Sequence, residues 1–437
     1  MGAKICIVGT GYVGMASAIG FAELGCRVNG YDVLRDRIDG LASGITPYHE
    51  EGIEPLLWRH LASGAIRFRS DFSQAAEGAE FVVLTVGTPS AHDGSADMSG
   101  FDAAVDAILA APLPASAAVV VRSTVPVGTN DAVARRLSGR HATMYHPEFL
   151  REGSALTDFM NPQRIVIGMT DSGKAAAYAS IFEPLRRPAV FVTLREAELI
   201  KAWSNAYLAM KISFANQVAN FCELAGADAD HVLRAVGYDD RIGELFLKPG
   251  LGFGGPCFEK DVRCLKHVAN TLGHSEILLD AILDVNDRQP HRVVELLEAE
   301  LGALNGLTVG VWGLAFKAGT SDVRYSLALR VLDDLSDRCV RVRAYDPLVK
   351  SLPKRYDFCE ITASARDAAC ADALLVLTEW PEFAAMDPFD YQALLSRGVV
   401  VDGRNVLDPE HVGAAGLTYR GIGRGKFAPA LELSKAG

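Results

Sequence analysis

The 437-residue sequence has no CxxC pair among its eight cysteines and no His/Cys cluster at zinc spacing, which argues against a structural metal. Scattered singly through a chain of this size, those cysteines read as reduced thiols in a cytosolic, cytoplasmic compartment. No apolar run reaches the ~18 residues that a membrane span requires. The N-terminus opens on a strand pattern, not on a charged stretch and an apolar core, so no secretory signal is expected. Positive charge is also in short supply: 43 Lys and Arg stand against 54 Asp and Glu, a formal net charge of -11. General nucleic-acid binding needs basic surface and is disfavoured, although a local basic pocket for a nucleotide is not. What is left, 49% hydrophobic and 22% charged, is an ordinary soluble globular composition. The length allows two or three domains.

Lys4-Ile-Cys-Ile-Val8 is a short apolar run of the kind that forms a buried parallel strand. Gly9-Thr-Gly-Tyr-Val-Gly14 follows at once, then a helical pattern from Met15 to Leu24, then a second strand ending at Asp32. A lone GxGxxG is weak. Between a strand and a helix, with an acid about twenty residues on, it is a dinucleotide fingerprint. Gly9 permits the tight turn, Gly11 the approach of a pyrophosphate and Gly14 close packing of helix on strand. Asp32 suits ribose hydroxyls and repels a 2′-phosphate, favouring NAD over NADP; Arg35 and Arg37 nearby soften that preference.

Phe81–Val86 and Ala117–Arg122 read as further strands, ending in Gly87-Thr88-Pro89 and Ser123-Thr124-Val-Pro126, with Asp93–Asp97 as a loop between. Ligands gather at that edge of a doubly wound sheet, so Thr88, Ser123 and Thr124 are candidates for cofactor or substrate contact. Each could equally be a turn or cap residue. His146-Pro-Glu-Phe-Leu-Arg-Glu152 sets Glu148 and Glu152 four apart beside an aromatic and an arginine, either as a solvated charged turn or as a pair facing the site.

Glu196 to Glu223 carries a helical pattern without proline or glycine, roughly 40 Å long at 1.5 Å per residue. Such a helix spans domains or forms a subunit interface. Lys201 and Asn205 share one of its faces, as solvated residues or as site groups. In Lys248-Pro-Gly-Leu-Gly-Phe-Gly-Gly-Pro-Cys-Phe-Glu-Lys-Asp261, Gly250, Gly252, Gly254 and Gly255 lead to Cys257, Lys260 and Asp261. The loop turns into a helix at Phe258, and a helix N-terminus with a neighbouring lysine favours a thiolate. The plainer alternative is a glycine turn carrying a buried structural cysteine. Ser275 to Leu301, with Asn286-Asp-Arg-Gln-Pro290, is a second helical stretch.

Leu307–Gly313 is again a strand meeting a glycine, but Leu314-Ala-Phe-Lys317 stands where the fingerprint would be. Arg341–Asp346 follows as a strand ending in an acid, then Ala373–Thr378, and Gly398–Arg404 closes the set. Lys317, Arg324 and Arg404 are the cations available to meet phosphates. Gly421 onward reads as a loose tail. The expected fold is α/β: two Rossmann-like parallel-sheet domains joined by a long central helix, with boundaries at 1–195, 196–300 and 301–437.

Together these motifs resemble the UDP-glucose/GDP-mannose 6-dehydrogenase family over essentially the whole chain, nearest to its members acting on UDP-glucose. The carriers are Gly9–Gly14, Ser123–Pro126, Pro147–Glu152, Lys201–Asn205, Arg241–Gly243, Gly252–Cys257 with Lys260-Asp261, and Ala315–Lys317 with Asp402–Arg404. The resemblance implies an N-terminal NAD domain, a central dimerisation helix with the cysteine loop, and a C-terminal UDP-sugar domain. The implied reaction is a four-electron oxidation of a sugar C6 alcohol, UDP-glucose to UDP-glucuronate, with two NAD. Cys257 would add to the intermediate aldehyde, and the thiohemiacetal would be oxidised to a thioester that water hydrolyses.

The resemblance further implies that Lys201 and Asn205 hold the oxyanion, that Asp261 acts with water as base or orients Lys201, that Thr124 positions that water, and that Glu148 activates water for hydrolysis. Cofactor contacts fall on Gly9, Gly11, Tyr12, Val13, Gly14, Asp32, Arg37, Thr88, Thr124, Glu152, Lys260 and Arg324. Substrate contacts fall on Glu148, Phe149, Leu150, Glu152, Lys201, Asn205, Arg241, Phe246, Leu247, Gly252, Phe253, Gly254, Lys317 and Arg404. No metal, nucleic-acid or membrane partner is expected. A homodimer or higher even oligomer is, with Arg241 entering the partner subunit's site. Two residues depart from the family pattern: Pro256 stands before the cysteine in place of a small polar or aromatic residue, and Gly87 stands where proline is frequent. The alternatives are a GDP-mannose or other UDP-hexose 6-dehydrogenase, a two-electron hydroxyacid or 6-phosphogluconate type dehydrogenase that needs no cysteine, and an NAD sensor without catalysis.

Overall fold

The computed structural model describes residues 2–424 apart from His49, Glu51 and His92. The chain divides into two compact units. The first holds the residues up to Asn205 together with Arg263–Ser275, and the second holds Ala206–Val262 together with the residues from Glu276 on.

Apolar runs without polar alternation need cover on both faces, and the first unit supplies it. Its strands are β1 (Lys4–Val8), β2 (Arg27–Tyr31), β3 (Ile66–Arg69), β4 (Phe81–Leu84), β5 (Ala118–Val121), β6 (Ala142–Tyr145), β7 (Ile165–Met169) and β8 (Ala189–Val192). They form one sheet in the order β3-β2-β1-β4-β5-β6-β7-β8. Alternate residues of β1 enter opposite cores: Ile5 and Ile7 join one cluster with Phe21 and Met144, Cys6 and Val8 another with Leu84 and Phe101. All neighbours are parallel except β6 and β7. The parallel-sheet expectation holds, with one antiparallel pair that the sequence could not mark because an apolar run carries no sign of its direction. The order reverses between β1 and β4, the place where such sheets bind ligands.

The second unit repeats the plan with β9 (Thr308–Trp312), β10 (Arg341–Tyr345), β11 (Cys359–Ile361), β12 (Ala371–Val376), β13 (Leu395–Asp402) and β14 (Thr418–Gly421), in the order β11-β10-β9-β12-β13-β14. Every pair is parallel. β14 was not foreseen; Thr418-Tyr-Arg-Gly is too polar to read as a strand. The expected loose tail is corrected as far as Arg424. Gly423 N–H donates to Glu223 (2.8 Å) and Arg424 Nε pairs with Asp230 (3.2 Å). The rest of that stretch, from residue 425, lies outside the described residues.

The fingerprint helix runs Tyr12–Glu23, beginning three residues before the expected Met15. The long helix spans Leu194–Ala225, slightly more than expected. The helix Ile277–Leu301 continues through Pro290, which has no N–H to offer the carbonyl of Asn286 one turn back. Among the described residues no helix is long and apolar enough to cross a membrane.

Candidate active site

In the first unit the glycines after β1 make a tight turn, let helix and turn pack closely and leave one side open. Gly9 adopts φ 92°, and a Cβ there would lie 3.1 Å from the Thr85 backbone. A Cβ on Gly14 would collide with the Gly9 carbonyl, so helix and turn pack as closely as backbone allows. A Cβ on Gly11 would meet nothing of the chain within 4 Å, which leaves that side open to a ligand. The helix starts without a side-chain cap and without an acid in its first turn, and its N–H groups favour an anion. Asp32 ends the second strand. Its Oδ2 accepts from Thr10 N–H (2.8 Å), Thr10 hydroxyl (3.2 Å) and Arg37 (2.9 Å), and its Oδ1 from Leu34 N–H (3.0 Å). Burial pushes its pKa up, but these donors hold it below the ordinary carboxylate value.

The Tyr12 side chain is a clasp. Its hydroxyl donates to Glu50 and accepts from Gly153 N–H (2.6 Å), tying the helix start to the turn that carries Glu152. Burial, the Glu50 bond and the charges of Glu50 and Glu152 hold that phenol protonated, far above its usual pKa. Thr88 is buried and donates to the Thr124 carbonyl at 2.6 Å, joining the ends of β4 and β5. Ser123 turns back onto the Leu84 carbonyl (3.4 Å), as the turn reading allowed.

Glu148 follows β6 and is buried. It accepts from Lys201 Nζ (3.1 Å), Leu150 N–H (2.6 Å) and, at 3.5 Å, the Thr124 hydroxyl. Thus three residues expected at the site gather around one carboxylate. Burial alone would raise its pKa; Lys201, the Leu150 N–H and Arg122 hold it below the ordinary value. The Phe149 ring lies 5.3 Å from Lys201 Nζ and 4.4 Å from the Arg164 guanidinium. Asn205, one turn along the helix from Lys201, is also buried. Glu198 was not singled out from the sequence. Its carboxylate accepts from Gly128 N–H (2.5 Å), Asn130 N–H (2.7 Å) and Asn130 Nδ2 (2.8 Å). It caps the helix Thr129–Leu137 and so fixes the Thr124–Gly128 turn to the helix bearing Lys201.

In the second unit the glycine loop is held from behind by two asparagines the sequence did not single out. Asn216 Oδ1 accepts from Gly250 N–H at 2.8 Å. Asn286 meets Phe253 twice, accepting from its N–H (2.7 Å) and donating to its carbonyl (3.0 Å). Gly252, at φ 102°, lies against Asn286 Oδ1 where a Cβ would collide. A Cβ on Gly254 would come 2.7 Å from the Tyr325 carbonyl, and one on Gly255 2.6 Å from the Phe316 ring. These glycines therefore serve the chain's own packing as well as any ligand.

Cys257 is exposed and caps the helix Phe258–Thr271, its carbonyl accepting the first helical bond from Asp261 N–H (3.0 Å). The buried-cysteine alternative is excluded for it. By contrast, burial raises the thiol of Cys6 to about 12 and that of Cys26 to about 11. Pro256 adds no N–H just before the cap. Lys260 Nζ pairs with Asp261 at 2.6 Å, and Glu259 with Arg330 at 2.9 Å. Phe246 (φ 65°) and Phe253 both pack edge-on against Phe258, while Leu247 is core.

Arg404 reaches the loop: Nη1 donates to the Gly252 carbonyl (3.3 Å), Nη2 to Phe316 (3.4 Å) and Nε to Leu377 (3.0 Å). Asp402 beneath it accepts from the N–H groups of Arg404 (3.0 Å), Val406 and Leu407 (both 2.8 Å), while burial keeps its pKa raised. Lys317 Nζ lies 5.7 Å from the Phe316 ring centre, Arg324 pairs with Asp322 (2.5 Å), and the exposed Arg241 with Asp239 (2.6 Å). Among the described residues no three His, Cys, Asp or Glu gather as a metal site would require.

The chain matches three segments of the UDP-glucose/GDP-mannose dehydrogenase family: its NAD binding domain at residues 3–186, its central domain at 195–288 and its UDP binding domain at 310–409. It is 38% identical to UDP-glucose 6-dehydrogenase TuaD of Bacillus subtilis, over 99% of this chain and 97% of that protein. Among solved structures, a UDP-glucose dehydrogenase of the archaeon Pyrobaculum islandicum superposes with a TM-score of 0.88 at 38% identity, covering 97% of this chain and 98% of that one. A UDP-D-ManNAc dehydrogenase of Pyrococcus horikoshii gives a TM-score of 0.85 at 25% identity, covering 96% and 99%.

Proposed function

This chain belongs to the UDP-glucose/GDP-mannose dehydrogenase family, and we propose that it oxidises UDP-glucose to UDP-glucuronate through a thiohemiacetal and a thioester on Cys257. It is an NAD-dependent oxidoreductase. The open side of Gly11, the uncapped helix start and the Oδ1 of Asp32 suit a pyrophosphate and a ribose. NAD, when bound, accepts the hydride of each oxidation.

Asp261, through water positioned by Thr124, takes the proton of the C6 hydroxyl, while Lys201 and Asn205 hold the developing oxyanion. The carbon gives up its hydride and becomes an aldehyde. An aldehyde lacks the second oxygen substituent that a further hydride loss to the acid level needs, and the Cys257 sulfur fills that place by adding to the carbon. The thiohemiacetal oxygen becomes the oxyanion that Lys201 and Asn205 hold, and loss of the second hydride leaves a thioester. Glu148 takes a proton from the water that attacks it. The C–S bond breaks and the thiolate returns with the acid released.

Gly9, Val13, Gly14, the Tyr12 backbone, Arg37, Thr88, Glu152, Lys260 and Arg324 are assigned to the cofactor. Phe149, Leu150, Arg241, Phe246, Leu247, Phe253, the loop glycines, Lys317 and Arg404 are assigned to the nucleotide sugar. The functional segments follow the boundaries 1–195, 196–300 and 301–437. The enzyme is taken to be cytoplasmic, in keeping with cysteines scattered singly along the sequence without a paired framework. A homodimer fits the long helix: Tyr207, Met210, Phe214, Gln217, Phe221 and Leu224 recur at alternating three- and four-residue steps. Tyr207, Phe214, Phe221 and Leu224 are 54%, 48%, 68% and 87% exposed, an apolar seam suited to a second copy.

Cys257 carries the reading, exposed at a helix N-terminus behind a loop that Asn216 and Asn286 hold in place. Incubation with NAD and each nucleotide sugar tests it. Two NADH per UDP-glucose are expected, and turnover confined to GDP-mannose or a UDP-N-acetylhexosamine would overturn the substrate assignment.

A further inference from the structure

Arg122 sits where β5 ends and is almost wholly buried. A guanidinium is costly to bury without a carboxylate partner. Yet among the described residues no carboxylate lies within salt-bridge distance of it. Its Nε donates to Ser17 Oγ at 3.0 Å, its Nη1 to the His146 ring at 2.9 Å, and its charge lies 5.2 Å from the Phe159 ring centre. His146 in turn meets the Tyr178 hydroxyl at 3.0 Å. A guanidinium can only donate, so the ring nitrogen facing it must accept, and His146 is neutral. Burial and the Arg122 charge hold His146 far below its ordinary pKa. The cluster thus carries one fixed positive charge and nothing touching it that neutralises it.

The register explains what that charge serves. Val121 pairs with Tyr145, and His146 N–H donates to the Val121 carbonyl at 2.8 Å. One step on, Arg122 meets His146; two further, the Thr124 hydroxyl faces Glu148 at 3.5 Å. We propose that Arg122 is a positioning residue whose fixed charge, two residues before Thr124 at the strand end beside the one that leads to Glu148, keeps that carboxylate ionised when Lys201 turns from it to hold the oxyanion. The inference rests on the role given to Glu148 above. Lysine can engage, release or lose a proton; a guanidinium does neither of the last two at working pH, so only Arg122 supplies a constant field. The groups facing the two residues are Lys201 from the long helix, Tyr178 from the helix Ser172–Ser180, Tyr145 and His146 from the β6 end, and Thr124 and Ser17, with Cys26 beyond Tyr178.

The test compares pH profiles of kcat for the full-length enzyme and its Arg122→Met, Arg122→Lys and Glu148→Gln variants. Arg122→Met should lose about tenfold in kcat near pH 6, recover toward pH 9 and keep KM for UDP-glucose within about twofold, while Arg122→Lys restores most of the acid-side activity. An acid limb for Arg122→Met that coincides with the parent's, or a loss equal at every pH that Arg122→Lys does not rescue, overturns the proposal. If Arg122→Met does not fold, Arg122→Lys and His146→Gln are titrated without substrate by infrared difference against Glu148→Gln, which isolates the Glu148 carboxyl band. His146→Gln keeps the cation and must leave that band where it is; a band displaced by His146→Gln and not by Arg122→Lys overturns the proposal. Should Glu148→Gln itself keep full acid-side turnover, the role of Glu148 falls while the infrared titration still judges Arg122.

Discussion

Gly9 and Gly313 hold the same place in the two sheets. Gly9 takes φ 92° and donates its N–H to the Tyr31 carbonyl at 2.8 Å; Gly313 takes φ 95° and donates to Tyr345 at 2.8 Å. Each packs against a threonine beyond the fourth strand of its own unit, Thr85 and Thr378. After that point the units part. Gly9 leads into a helix beginning at Tyr12, whereas Gly313 leads into a loop and the next helix begins only at Leu327. The acids at the ends of the second strands diverge with them. Asp346 is buried and accepts from four N–H groups, Leu314 (2.8 Å), Ala315 (3.1 Å), Leu348 (2.9 Å) and Val349 (3.0 Å), and from Trp380 Nε1 (3.1 Å). Asp32 keeps acceptor capacity on Oδ1. One topology therefore leaves an acid with acceptor capacity to spare where the helix starts at once, and makes a structural pin where a loop intervenes.

The sharpest separation is chemical. Cys257→Ser should lower acid production by at least about 10³-fold while leaving NAD binding unchanged by calorimetry. Retained acid production would remove the thiol from the reaction and return the second unit to binding alone. Next comes the pin: Asp346→Asn replaces acceptors by an NH2 group facing N–H donors, and should cost about 3 kcal/mol of stability in denaturant unfolding. Asp32→Asn should weaken NAD binding about tenfold and, with fewer backbone N–H groups to leave unpaired, destabilise less than Asp346→Asn; an equal destabilisation by both would erase the contrast.

The smallest effect is one of pH. Glu148 of the first unit has its carboxyl held below the ordinary 4.5, so its stabilisation is full above that value and is lost as pH falls through the folded one. Asp402 of the second unit is held above 3.8, so ionising it costs stability as pH rises from there toward its folded value. Hydrogen exchange followed down from about pH 6 should therefore show the β6 end loosening while the β13 end does not.

Much of this was legible in the residues, for physical reasons. Runs such as Val119-Val-Val121 have no polar alternation and must be interior strands. The glycines after β1 announce their turn because only that turn needs them so spaced. The short strands β3, β7, β8, β11 and β14 were not read from the sequence, and the direction of β7 could not have been, since polarity does not encode it. Within the site, Cys257 and its loop stood out, but the residues that hold them did not. A buried polar side chain looks in sequence like a solvated one. Asn286 had a detectable signal: it falls among Ile282, Leu283, Gln289, Pro290 and Val293 on the buried face of its helix. Glu198 and Arg122 had none, because the backbone donors and the ring they meet are distant in the chain.

Asn286 does for the loop what a neighbouring strand would do, closing one ladder rung with a side-chain amide. A primary amide has no proton to gain or lose in the range where the enzyme works. The fastening before Cys257 is thus blind to acidity, whereas the carboxylate–lysine pair of the first unit is not. The loop that presents Cys257 then keeps its shape as pH changes, so its part in any pH dependence of turnover is the titration of the groups themselves, the Cys257 thiol among them.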